Sequence, residues 1–307
     1  MIRRILITIL LATLAPAAFA QEVYIHVLGV AQDGGYPQAG CYSQDCMRAW
    51  DDVDRRIFPT SLALVNETAR LTWLFEATPA LPDQLADLYE IAPDGQYIFS
   101  GIFITHAHIG HYAGLMHYGR EAIGARNVPV YAMPKMSEFL STNGPWEQLV
   151  TLGNIQLRPL ANAQAVELAG GVRVTPFLVP HRDEYSETVG FRIDGPNRSL
   201  VFIPDIDKWE DWAADIRDVV RSVDYALLDA TFYAEGELPG RDMSQIRHPY
   251  VTESMALFEE LTDEEKSRII FIHMNNSNPL LDRRSDEFDD VEDAGFRIAT
   301  QGMRLEL

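Results

Sequence analysis

The sequence is poor in cysteine and short of positive charge. Two cysteines among 307 residues cannot build a disulfide scaffold or a four-cysteine zinc module. Lys and Arg total 25 against 45 Asp and Glu, a formal net charge of −20. That excludes nucleic acid as the main partner, because gripping a phosphate backbone takes clustered cations. There is no internal repeat, low-complexity tract or linker. Beyond the N-terminus no apolar run reaches the ~18 residues that cross a bilayer, so no stable membrane insertion is expected. What is present is core material: 47% hydrophobic and 10% aromatic residues, with 23% charged. This composition suits a sizeable folded core and argues against disorder.

Residues 1–20, MIRRILITILLATLAPAAFA, have the layout of a cleavable signal peptide. Arg3 and Arg4 form a basic start, 5–14 an apolar stretch, and Ala18-Phe19-Ala20 a small-x-small cleavage site. The apolar stretch is too short to span a membrane. The expectation is a mature chain from Gln21, periplasmic or secreted, folded as one domain over 21–307.

Hydrophobic periodicity predicts alternating strands and helices. Strands are expected at 23–30, 61–66, 71–77 (a hairpin with the preceding run), 102–105, 128–133, 155–160, 172–179, 188–193, 199–203, 225–230, 268–274 and near 296–306. Helices are expected at 80–91, 112–125, 134–142, 208–222 and 251–262. Two strand-rich halves with interspersed helices suggest two sheets packed face to face under helical layers.

The strongest chemical signal is His106, His108 and His111, an H-x-H-x-x-H stretch directly after the apolar run IFIT. Imidazole is a good ligand for zinc and similar metals. In extended chain His106 and His108 share a side, and His111 sits where the chain turns. His181, Asp205 and His273 each end a later apolar run, as ligands at strand ends would. His248, in RHPY, and Asp229, at another strand end, are further candidates for the site. Asp183 and Glu184 beside His181 are possible acceptors for a ligand imidazole, although loop carboxylates are usually only solvated. Asn275 and Asn276 could orient a substrate or shape a turn. His26 and His117 are expected to be structural or exposed. Asp33-Gly34-Gly35 reads as a tight turn, since no Lys-Ser/Thr follows to make a phosphate loop.

The H-x-H stretch followed by a later His, Asp and His resembles the metallo-β-lactamase superfamily, whose motif is H-x-H-x-D-H. Within it the chain resembles the coenzyme PQQ synthesis protein B family. The matching stretches are GVAQDGGYPQAGCYSQDC, PHRDEYSETVGFRI, LLDATFYAEGEL, RHPYVTES, IHMNNSNPLL with Ser285-Asp286, and AGFRIATQGMRLEL. The resemblance implies an α/β fold of αββα type, two mixed sheets flanked by helices. It implies that His106, His108 and His181 hold a first metal, that Asp205 bridges or caps it, and that His111 and His273 hold a second. One or two zinc ions are expected, with iron or manganese as alternatives. Asp205 and His248 are the catalytic candidates.

Two departures stand out. The synthesis protein B family looks degraded at the first two histidines and lacks the bridging Asp, whereas His106, His108 and Asp205 are all present here. Conversely, the motif's Asp is Gly110. The second metal position is therefore expected either to be weaker or to recruit another group such as His248, and to be strengthened by Gly110→Asp. Cys41 and Cys46 align with a cysteine-rich loop that relatives can use for a structural zinc. With only two left, an exported protein should join them in a short-loop disulfide; free thiols or a site completed by other residue types are the alternatives.

The leading functional expectation is an exported metal-dependent hydrolase, using hydroxide generated at the metal on a small ester, lactone, amide or phosphodiester. One alternative is an iron-dependent oxygenase linked to PQQ formation. Another is a non-catalytic protein binding a metal or quinone.

Overall fold

The structure is a computed structural model and describes residues 22–307. The expected signal peptide of residues 1–20 lies outside the described residues. Fourteen strands are present among them: β1 (Val23–Gly29), β2 (Ser61–Asn66), β3 (Leu71–Phe75), β4 (Ile98–Phe103), β5 (Val128–Ala132), β6 (Ile155–Pro159), β7 (Val166–Glu167), β8 (Arg173–Leu178), β9 (Val189–Asp194), β10 (Ser199–Ile203), β11 (Tyr225–Asp229), β12 (Ile269–Ile272), β13 (Arg297–Ile298) and β14 (Arg304–Glu306). They form two seven-stranded sheets, ordered β14-β1-β2-β3-β4-β5-β6 and β13-β12-β11-β10-β9-β8-β7. Each sheet is half antiparallel and half parallel. In the first, β14 through β3 pair antiparallel and β3 through β6 parallel. In the second, β13 through β10 pair parallel and β10 through β7 antiparallel. The expected two mixed sheets flanked by helices are what the chain forms.

Strand sequence follows position in these layers. Central strands are covered on both faces, so they are largely apolar. SLALVN of β2 and IIFI of β12 are buried at every residue. Along β2 the pleat sends Leu62 and Leu64 into the core between the sheets, and Ala63 and Val65 under the outer helices. The intersheet core centres on rings from both sheets. Phe75 stacks on Phe103 at 5.0 Å, and Phe191 meets both edge-on at 5.4 and 5.6 Å. The outer edges, β6 and β7, are short or polar, which blunts them against further pairing.

Several expected helices are shorter, each for a local reason. Over 112–125 the chain makes only one helical turn, Ile109–Tyr112, and a 3-10 turn, Ala113–Tyr118. Gly119 then turns extended, at φ −62° and ψ 168°, which ends the helical path. The stretch 208–222 keeps α-helix only at Ile216–Arg221, because Asp215 caps the Arg217 N–H and starts the helix late. The stretch 251–262 splits at a capping box in which Thr262 and Glu265 open a second short helix. The run near 296–306 is two strands: β13 completes the second sheet, and β14 returns to pair with β1 in the first. Gly302, at φ 85°, makes the turn between them.

Strand direction positions the site. β1, β3 and β4 run the same way in the first sheet, and β8, β10, β11 and β12 the same way in the second. Their C-terminal ends form one rim, the usual location of sites in sheets with parallel strands. The core rings tie the sheets together beneath that rim. Phe191→Ala should lower unfolding free energy by about 3–5 kcal/mol through lost burial and an unfilled cavity. The exposed Tyr89→Ala should change it by less than about 0.5 kcal/mol. Urea denaturation of the two variants checks the contrast.

Candidate metal centre

Each strand end on this rim delivers a polar side chain. His106 and His108 follow β4, and His111 lies in the helical turn beyond them. His181 follows β8, Asp205 follows β10, Asp229 ends β11 and His273 follows β12. The structure brings His106, His108, His111, His181, Asp205, His248 and His273 together, as the sequence suggested.

The first cluster joins His106 Nε2, His108 Nδ1 and His181 Nε2. His108 Nδ1 lies 2.8 Å from His106 Nε2 and 3.2 Å from His181 Nε2. A tetrahedral zinc site separates neighbouring nitrogens by roughly 3.3 Å, given Zn–N bonds of ~2.0–2.1 Å. The donor set and spacing therefore fit such an ion. The second cluster joins His111, His273 and Asp33. Asp205 stands between the two. Its Oδ2 lies 2.7 Å from His111 Nε2, 3.5 Å from His273 Nε2 and 3.7 Å from His106 Nε2, and its Oδ1 lies 3.9 Å from His181 Nε2.

These close groups are not satisfied by one another. Asp205 Oδ2, both ring nitrogens of His111 and His273 Nε2 are buried without an aligned hydrogen bond. Buried polar atoms normally have partners; a cation would serve Asp205 Oδ2, His111 Nε2 and His273 Nε2, while His111 Nδ1 faces Glu76 Oε2 at 3.6 Å. Electrostatics agree. Burial opposes the Asp205 charge, but His273 and His111 outweigh it and hold the carboxyl well below its usual range. Burial also opposes a charge on His111, yet Asp205 and Glu76 draw its pKa well above the ordinary imidazole value. His106, by contrast, is pushed well below that value, first by burial and then by neighbouring His111.

Outer acceptors hold the ligand rings. Thr105 Oγ1 meets His106 Nδ1 at 2.8 Å, Glu184 meets His108 Nε2 at 2.9 Å, Asp207 meets His181 Nδ1 at 3.3 Å, and Thr231 Oγ1 meets His273 Nδ1 at 3.1 Å. Such contacts fix ring orientation and ligand basicity. Glu184 therefore serves His108 rather than His181. Asp183 does not touch His181 and instead accepts a bond from Thr188. The acceptor for His181 is Asp207, a residue sequence reasoning missed; its signal was its place two residues after Asp205, on the same side of an extended segment. Asp229 takes bonds from Thr231, the Ile206 N–H and His248 Nδ1, the last at 2.7 Å. It thus supports the site without joining either three-residue metal cluster. Glu76 and His273 both hold left-handed backbone, at φ 76° and 69°. Non-glycine residues accept that strain where surrounding structure demands it, commonly at functional sites.

His248 is turned by Asp229 away from the second cluster, so it does not complete that cluster as expected. Burial opposes its charge, but Asp229 outweighs it and raises its pKa to about 9. His248 instead lines a cavity of about 340 Å³ beside the first cluster, with His181, Arg182, Arg241, Arg247 and Asn275 among the other lining residues. Asn276 shapes the loop by accepting the Gln38 N–H. His26 and His117 lie outside the centre, in β1 and the 3-10 turn. Cys41 and Cys46 form a disulfide, with Cα atoms 5.9 Å apart. Asp33 is the other missed residue. Its segment is the tight turn expected, closed by the Gly35 N–H on the Gln32 carbonyl, but its carboxylate points into the second cluster, 3.3 Å from His111 Nε2.

Comparison with known proteins agrees with the two-sheet fold. The family model described as β-lactamase superfamily domain matches residues 74–274. Coenzyme PQQ synthesis protein B of Nitrosococcus oceani is 28% identical, over 92% of this chain and 99% of that protein. The protein of the same name from Xanthomonas euvesicatoria is 26% identical with equal coverage. Among solved structures, Zn(2+)-bound PqqB from Methylobacterium extorquens superposes with a TM-score of 0.75 at 22% identity, over 92% of this chain and all of that one. A diphosphatase of the PhnP family superposes at 0.64 and 21% identity, over 93% and 97%. The chain belongs to the metallo-β-lactamase superfamily and is similar, along nearly its whole length, to coenzyme PQQ synthesis protein B.

Proposed function

We propose that the protein is a metal-dependent hydrolase of a small ester, lactone, amide or phosphodiester. The observation that carries this reading is the pair of ligand clusters that Asp205 faces, the first of which reaches a cavity through His181. A zinc or similar divalent ion held there would supply Lewis acidity and make a water-derived nucleophile available at neutral pH. The zinc bound to Methylobacterium PqqB and the PhnP-family neighbour's being a diphosphatase support the reading.

The chain's own residues supply the rest. His106, His108 and His181 would hold the first ion, and Asp205 would face both positions. Asp207, Glu184 and Thr105 keep the imidazoles turned inward. His248, held through Nδ1 by Asp229, leaves Nε2 for a substrate oxygen and can give it a proton. Arg241 at the cavity favours an anionic substrate, more than Arg182, which already lies 3.7 Å from Glu184. Arg247 contributes less, because Asp207 and Asp211 already pair with it.

A second reading, an iron-dependent oxygenase, draws on the similarity to coenzyme PQQ synthesis protein B over 92% of the chain. It predicts iron in the purified protein and dioxygen uptake. The hydrolase reading predicts zinc or manganese and turnover of an ester or phosphodiester panel without oxygen.

We also propose export to the periplasm or beyond. The N-terminal leader and the Cys41–Cys46 disulfide both suit an oxidising compartment. N-terminal sequencing of the mature protein from an extracytoplasmic fraction should begin at Gln21; an intact Met1 in the cytoplasm would contradict export.

His108→Ala should release the first ion and lower turnover at least ~100-fold, measured by elemental analysis beside the hydrolysis assay. His248→Ala should retain the metal and lower kcat by about 10²–10⁴. Full activity in the His108 variant would rule out the hydrolase mechanism.

A further inference from the structure

The superfamily motif has an aspartate where this chain has Gly110. Gly110 does not have a left-handed φ, so its backbone does not call for glycine. The requirement is spatial. A Cβ at position 110 would lie 2.2 Å from Asp33 Oδ1 and 2.6 Å from both Asp33 Cα and Cγ. No side chain fits there while Asp33 holds its place. The volume next to the 110 backbone is already filled by a carboxyl group, and that group comes from the turn after β1.

The Asp33 carboxylate is aimed at the second cluster. Oδ1 lies 3.3 Å from His111 Nε2 and 3.7 Å from His273 Nε2. Both imidazole nitrogens lack an aligned hydrogen bond. The turn is fixed to the strand end that carries His273. The Gln32 N–H bonds the Met274 carbonyl at 2.8 Å, and the Met274 N–H bonds the Val30 carbonyl at 2.9 Å. Asp33 is thus anchored by backbone to the neighbour of one ligand while it covers the glycine one residue before another.

We infer that Asp33 is the carboxylate ligand of a second metal ion, taking the place that the motif gives to residue 110. The second position then has two imidazoles, its own carboxylate and a share of Asp205. Those are the same donor types and the same charge as with an aspartate at 110. The position is therefore fully equipped, and Gly110→Asp weakens it instead of strengthening it, because two carboxylates would compete for one volume.

The inference rests on the metal-dependent reading above, and metal stoichiometry separates the two. Purified full-length protein and its variants are equilibrated with zinc chloride, desalted and measured by elemental analysis, with calorimetric zinc titration for affinity and circular dichroism for folding. Wild type should hold two equivalents. Asp33→Ala and the isosteric Asp33→Asn should hold one. Gly110→Asp should also fall towards one, because its Cβ would meet both the carboxyl and the Cα of Asp33. Two equivalents at unchanged affinity in Asp33→Ala would overturn the inference and leave the metal-dependent reading standing. So would a wild type holding one ion, or a Gly110→Asp variant that keeps two equivalents at unchanged affinity. A wild type that binds no metal would overturn both.

Discussion

Asp205 is 4% exposed and faces five imidazoles, those of His106, His111, His181, His248 and His273, at 2.7–3.9 Å. A buried carboxylate is costly unless positive charge meets it. Here Oδ2 lacks even an aligned hydrogen bond. The rest of the centre follows from that charge. Ligand nitrogens converge on it from two sides, and His111 is drawn towards its cationic form by it. Glu184 and Asp207 then hold the His108 and His181 rings in orientation. A centre arranged in this way is stable when divalent charge sits between the clusters.

The fold makes this convergence possible through strand direction. Strands of both sheets ending on one rim bring together residues as distant in sequence as Asp33 and His273. Neither sheet alone holds a full ligand set, because the first supplies Asp33 and the 106–111 stretch while the second supplies His181, Asp205 and His273. The ring cluster of Phe75, Phe103 and Phe191 lies beneath the rim and sets the spacing between the two halves. Packing in the core and metal geometry are in this sense one problem, and a shift in intersheet distance would open the donor spacing.

Much of this is legible in the sequence. His106, His108 and His111 advertise themselves by spacing, and His181, Asp205 and His273 by ending apolar runs that form buried strands. The two-sheet architecture follows from the same runs. Helical periodicity overstates helix length where polar caps and glycines, such as Asp215, Thr262 and Gly119, cut the pattern. The finer parts of the site are hidden for a different reason. Asp183 and Glu184 are the partners of His181 that the sequence suggests, and only the path of the chain after β10 brings Asp207 to that ring. Asp33 sits in a turn whose glycines explain themselves, so its carboxylate carries no visible signal. The one clue is an absence elsewhere, the missing side chain at Gly110, and linking the two needs the three-dimensional contact.

The central claim is that the strand-end rim is a two-ion centre organised around Asp205. Anomalous diffraction from crystals of the purified protein, recorded above and below the zinc and iron edges, tests it most directly. Two anomalous peaks should flank Asp205, one within about 2.0–2.3 Å of the His106, His108 and His181 nitrogens and one bound by His111, His273 and Asp33. A rim with no anomalous peak, or a peak that leaves Asp205 unligated, would contradict it.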